Sequence, residues 1–145
     1  PRAIQATGRP GDVVVDLGAG TGILGFLAAR AGASRVYAIE QGGIIEVARQ
    51  IAAANGLADR VTFVHEAVSR VTLPELADVV LGDQIGRLGF EAGLMDVTVD
   101  AARRFLRPGG RVIPQRTATM VAPIEAPECT AWVDFWRTRP EGFDI

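Results

Sequence analysis

Ten residues near the start of the chain constrain it most: Val13-Val14-Val15-Asp16-Leu17-Gly18-Ala19-Gly20-Thr21-Gly22. A short, β-branched apolar run closed by glycines reads as a buried strand. The stretch that follows, Ile23 to Ala31, has helical composition, and Gly32 stops it. A strand, a tight glycine turn and a helix open an α/β sheet. In such a turn, glycine lets the backbone bend sharply and come close to a ligand.

The rest of the chain extends that pattern. Ser34 to Glu40 reads as a second strand and Ile44 to Asn55 as a helix, with Asn55-Gly56 as its stop. Arg60 to His65 and Ala77 to Leu81 read as third and fourth strands. Phe90 to Leu106 reads as a long helix ended by Pro108-Gly109-Gly110, and Arg111 to Pro114 as a fifth strand. Strands alternating with helices imply parallel strands joined by right-handed crossovers, with helices on both faces. The strands are continuously apolar, as a sheet covered on both faces requires. The expected fold is therefore α/β, a doubly wound, mainly parallel sheet. The tail differs. Thr117 to Ile124 and Thr130 to Trp136 read as two strands with no helix between them, punctuated by Pro123, Pro127 and Pro140. A boundary near Pro114 to Arg116 is expected, with residues 1–114 as a ligand-binding domain and 115–145 as the start of a β-rich one.

Composition narrows the partners. A length of 145 residues suits one domain, and 48% apolar with 22% charged residues fits a globular class. A net charge of -2 opposes a nucleic-acid surface, which is normally basic. No apolar run approaches the ~20 residues needed to span a bilayer. One cysteine, Cys129, excludes an internal disulfide and fits the cytoplasm. The chain opens on Pro1 rather than Met, as a piece of a longer protein would.

The chemistry gathers at the exposed ends of the strands. The glycine spacing is G-x-G-x-G, whereas a dinucleotide fold wants G-x-G-x-x-G with its pyrophosphate on the helix N-terminus. Asp16 stands just before the first glycine. It would repel a pyrophosphate and attract a sulfonium and an α-amino group. That sign favours S-adenosylmethionine (S-adenosyl-L-methionine) over NAD. A plain Asx cap of the loop is the other reading of Asp16. Glu40, at the end of the second strand, is placed to bond ribose hydroxyls, or else is a solvated strand-end acid. Glu66-Ala67, after the third strand, can meet an adenine amino group. The expected cofactor set is Asp16, Gly18, Ala19, Gly20, Thr21, Gly22, Ile23, Leu24, Glu40, Gln41, Glu66 and Ala67. His65 is the only histidine, and nothing pairs it with a nucleophile. No residues have metal-ligand spacing.

Asp-Leu-Gly-Ala-Gly-Thr-Gly-Ile-Leu, residues 16–24, closely resembles the first motif of class I methyltransferases. Residues 30–40 resemble the second-strand region of protein arginine methyltransferases. Leu106 to Pro114 resembles the stretch before their β-barrel, and Trp132 to Trp136 followed by Glu141 to Asp144 their first barrel strands. The resemblance implies a cofactor domain followed by a barrel that helps form the acceptor site. It also implies two glutamates, in a hairpin after the fourth strand, that grip a guanidinium by paired charge-assisted bonds. Here Asp83 stands at the first position, one methylene short. The second falls on Ala92, with Glu91 one residue early, and Arg87 adds positive charge between them. Asp83 and Glu91 are the expected catalytic pair. Their other reading is a loop acid and a helix-start acid favoured by the dipole.

Four functions follow. The first is a methyltransferase acting on protein arginine or a related nitrogen. The second is a methyltransferase with a small-molecule acceptor, favoured by the altered acids. The third is a module that binds S-adenosylmethionine without turnover. The fourth, an NAD-dependent oxidoreductase, is opposed by Asp16 and the glycine spacing.

Overall fold

The computed structural model describes residues 2–86, 88 and 93–137. Helix α1 (Arg2–Thr7) precedes β1 (Val13–Leu17), α2 (Ile23–Arg30), β2 (Arg35–Glu40), α3 (Ile45–Ala54) and β3 (Val61–His65). Then come β4 (Ala77–Leu81), α4 (Leu94–Phe105), β5 (Leu106–Ile113) and α5 (Pro127–Arg137). The five strands form one sheet in the order β3-β2-β1-β4-β5, and every pair is parallel. The expected doubly wound α/β sheet is the one observed, with element ends within a residue or two over most of its length.

Register explains why the strands are apolar throughout. Val15 lies beside Tyr37 on one side and Val80 on the other, so β1 has no free edge. Helices cover both faces. Phe26, Ala28 and Ala29 of α2 and Ala48 and Ala52 of α3 pack with Val14, Val36, Val61 and Val79. Ala101 and Phe105 of α4 pack with Val15, Tyr37, Ile39 and Val80 on the other face. Each fully buried aliphatic side chain contributes roughly 1.5–3 kcal/mol. Small residues on α2 and α3 let those helices lie close to the sheet. Gly25 is one of them, since an added Cβ would stand 3.0 Å from Val36.

Strand order reverses between β1 and β4. The chain winds one way through β1, β2 and β3, then crosses back to β4 and β5. Open α/β sheets bind ligands at that switch, beyond the carboxyl ends of the strands. The loops after β1 and β4 meet there.

Three expectations differ from the structure. Strand β5 starts at Leu106, earlier than Arg111, and Pro108-Gly109-Gly110 is taken up by a register shift against β4 between Ala77 and Val79. The helix expected from Phe90 is observed from Leu94, with Gly93 as its cap; residues 90–92 lie outside the described ones. The strands expected over Thr117 to Ile124 and Thr130 to Trp136 are not formed: the first stretch has no regular structure and the second lies in α5. Pro127 at the first helical position and Glu128 in the first turn are helix-start signals that outweigh the aromatic content.

Candidate cofactor site

The glycine loop is shaped from beneath. Gly18, Gly20 and Gly22 have φ of 62°, 53° and 83°, a region that only glycine enters cheaply. Gly22 caps α2 and has no side chain to accept the free helix amides. Asp16 does that work. Its Oδ2 accepts the Gly25 N–H at 2.8 Å, and its side chain is 1% exposed. Burial pushes the Asp16 carboxyl up from 3.8 to about 7, opposed by the Gly25 N–H and reinforced by the charges of Asp83 and Glu40. The cap reading of Asp16 is therefore present in the structure. At neutral pH its charge is partial, and the negative field of the site comes mainly from other carboxylates.

Glu40 fixes the loop from the side. Its Oε2 accepts the Gly20 N–H at 3.0 Å, and its Oε1 accepts the Gly42 N–H at 2.7 Å. Each oxygen keeps a further lone pair for a ligand. At the end of β3, Glu66 Oε1 accepts the Ala67 N–H at 2.7 Å and pairs with Arg70 Nε at 2.9 Å. The Ala67 N–H, with Arg70 behind it, holds the Glu66 carboxyl below its ordinary value.

Above these groups lies a cavity of about 370 Å³, within the usual range for small-molecule sites. It is lined by Gly18, Ile39, Glu40, Gln41, Glu66, Ala67, Val68, Ser69, Gln84, Asp96, Val97 and Asp100. Five expected cofactor residues meet there: Gly18, Glu40, Gln41, Glu66 and Ala67. Asp16, Ala19, Gly20, Thr21, Gly22, Ile23 and Leu24 build the loop and the start of α2 but do not line the cavity. Asp83 is exposed at the end of β4, beside the cavity residue Gln84. Glu91 lies outside the described residues. Sequence reasoning missed Ile39, Gln84, Val68, Ser69 and the α4 face of Asp96, Val97 and Asp100. The i, i+4 spacing of Asp96 and Asp100 was the available signal for the last.

Gln84 marks where the β1 and β4 loops touch. A Cβ added to Gly18 would fall 1.7 Å from Gln84 Nε2, so the amide rests directly on the loop. Among the described residues, every charged one lining the cavity is acidic. Such a lining accepts a cation and repels a pyrophosphate. No group of His, Cys, Asp and Glu among the described residues can hold a metal ion. No helix among them is long and apolar enough to cross a membrane.

A parallel sheet with a glycine loop and a strand-end acid at its switch point defines a nucleotide-cofactor domain of the methyltransferase class. Residues 14–110 match the family described as methyltransferase domain, and the chain belongs to that family. Within it the chain resembles protein arginine methyltransferases. It is 38% identical over 128 residues to an Arabidopsis thaliana protein named probable protein arginine N-methyltransferase 6, covering 88% of this chain and 29% of that one. It superposes on Arabidopsis thaliana protein arginine methyltransferase 10 with a TM-score of 0.76 at 28% identity, covering 94% of this chain and 42% of that one. It also matches the Trypanosoma brucei PRMT1 enzyme–prozyme heterotetrameric complex with AdoHcy, with a TM-score of 0.72 at 27% identity over 76% of this chain and 34% of that one. The chain spans about a third of the length of the curated relatives it matches.

Proposed function

We propose that this chain is the cofactor-binding part of an S-adenosylmethionine-dependent methyltransferase whose acceptor is a protein arginine. The observation that carries the cofactor reading is the cavity's lining: among the described residues, four carboxylates and no cation over a glycine loop. A sulfonium with an α-amino group suits that field, and NAD does not. The matched relatives supply the arginine acceptor, since they are named arginine methyltransferases.

The residues divide the work by position. Glu40, held by two loop amides, is oriented to accept ribose hydroxyls. Gly18 and Gly20 keep the loop bare so that the ligand can lie against its backbone. Gln41, Glu66 and Ala67 close the other end, while Ala19, Thr21, Gly22, Ile23 and Leu24 set the loop's path into α2. Asp16 holds that path from below and adds negative charge toward an ammonium. When bound, the cofactor supplies an electrophilic methyl group. Asp83, exposed at the switch point, accepts an N–H of the acceptor and so orients its nitrogen, with Glu91 as partner. Orientation of this kind contributes as much as roughly 7–11 kcal/mol in the best cases, and a general base about 10²–10⁴-fold.

Residues 1–114 form the cofactor unit, and 115–145 begin an acceptor-side unit; Ile113 is the last residue of the sheet, which supports the division. A cytoplasmic setting agrees with the free thiol of Cys129. A small-molecule acceptor is the second reading. It is favoured by Asp83 and Ala92 standing where two glutamates would clamp a guanidinium.

The test is to incubate the full-length protein with methyl-labelled S-adenosylmethionine and an arginine-rich protein, then hydrolyse the product. Labelled methylarginine is the expected outcome. Its absence, with cofactor binding confirmed alongside, turns the assignment to a small-molecule acceptor or to a module without turnover.

A further inference from the structure

Four carboxylates face the cavity, and three of them are already engaged. Glu40 accepts the Gly20 and Gly42 amides. Glu66 accepts the Ala67 amide and pairs with Arg70. Asp100 pairs with Arg104 at 2.6 Å, and Arg104 also donates to the carbonyls of Val68 and Val71. Asp96 is different: among the described residues it has no hydrogen-bond or ion-pair partner. It lies one helical turn before Asp100 on the same face of α4.

From this we infer that Asp96 is a ligand-binding residue that accepts a hydrogen bond from the exocyclic amine of an adenine base. The inference rests on the cofactor reading above. Its surroundings specify the group. Val97, Ile39, Ala67 and Val68 give the cavity apolar walls against which a flat base can lie. The Arg104 bonds tie α4 to the turn after β3, so the two walls keep their spacing. A carboxylate at the rim of an apolar slot accepts an amine N–H and repels a carbonyl oxygen. It therefore selects adenine over its 6-oxo counterpart. Glu66 is the residue the sequence suggests for this contact, but its Oε1 is held by its own turn and Arg70, which leaves Oε2 alone unengaged. Asp96 keeps both oxygens for the ligand.

Calorimetry on the full chain tests this with two probes, S-adenosylhomocysteine and its 6-oxo analogue S-inosylhomocysteine. The wild type is expected to prefer the adenine compound. Asp96→Ala is expected to weaken that compound on the order of tenfold, the scale of one hydrogen bond to a charged group, while leaving the 6-oxo analogue within about twofold. Asp96→Asn, which keeps the size and adds an N–H donor, shifts the ratio in the same direction, toward the 6-oxo analogue, if the alanine variant folds poorly. An unchanged ratio of the two affinities in a folded variant overturns the assignment. If the wild type binds neither compound, the cofactor reading itself fails, and Asp96 with it.

Discussion

Asp16 works against its own charge. It is buried to satisfy the Gly25 amide, and burial raises its pKa to about 7. Between about pH 4 and 7 the folded state therefore binds more protons than the unfolded one. Stability contributed by this group is full below the unfolded value of 3.8 and falls as pH rises toward 7. The expected difference between wild type and Asp16→Asn is a slope approaching about 1.4 kcal/mol per pH unit at most, measured by urea denaturation across that range. Parallel curves for the two proteins would show that Asp16 ionises normally. Asp16→Ala leaves the Gly25 N–H without an acceptor and is expected to cost about 1–3 kcal/mol, whereas the asparagine variant keeps an acceptor oxygen.

At the scale of elements, the glycine loop separates binding from folding. A Cβ on Gly18 would meet only the far end of the Gln84 side chain, which can move aside. The φ of 62° still strains any side chain there, so Gly18→Val is expected to cost about 1–3 kcal/mol and to abolish S-adenosylhomocysteine binding while the chain remains folded, as read by calorimetry beside circular dichroism. A Cβ on Gly22 would stand 2.6 Å from the Phe26 ring, inside the core. With φ near 83°, Gly22→Ala is expected to lose about 1–3 kcal/mol of stability. If Gly18→Val unfolded the chain, or kept its affinity, this division of the loop would be wrong. Strands β1 to β4 were legible because each is a short apolar run bounded by turn residues. The start of β5 was not, since Leu106 continues an amphipathic helix and only pairing with Ala77 makes it a strand. Helix α5 was read as strand from Trp132, Phe135 and Trp136, side chains that fit either element. Gly18, Glu40 and Glu66 were legible as strand-end residues. Gln84 and Asp96 were not, because long-range packing brings them to the site from beyond β4.

Across the whole molecule, the switch between β1 and β4 decides where chemistry can occur, and the opposite end of the sheet decides how well it holds. There Arg111 of β5 pairs with buried Asp12 at 2.7 Å and donates to the Thr7 carbonyl, joining the last strand to α1. Arg111→Ala leaves a buried carboxylate with only the Arg9 amide and is expected to cost on the order of 3 kcal/mol. Cofactor affinity, set at the other end, is expected to change less than threefold. A large loss of affinity without loss of stability would mean that the two ends are coupled.

An acidic cavity over this glycine loop is expected to take a cationic, amino-acid-bearing nucleoside rather than a dinucleotide. Titration of the chain with S-adenosylmethionine and, separately, with NAD tests it most directly. Saturable heat is expected with the first and none with the second. Saturable binding of NAD with no response to S-adenosylmethionine would contradict it.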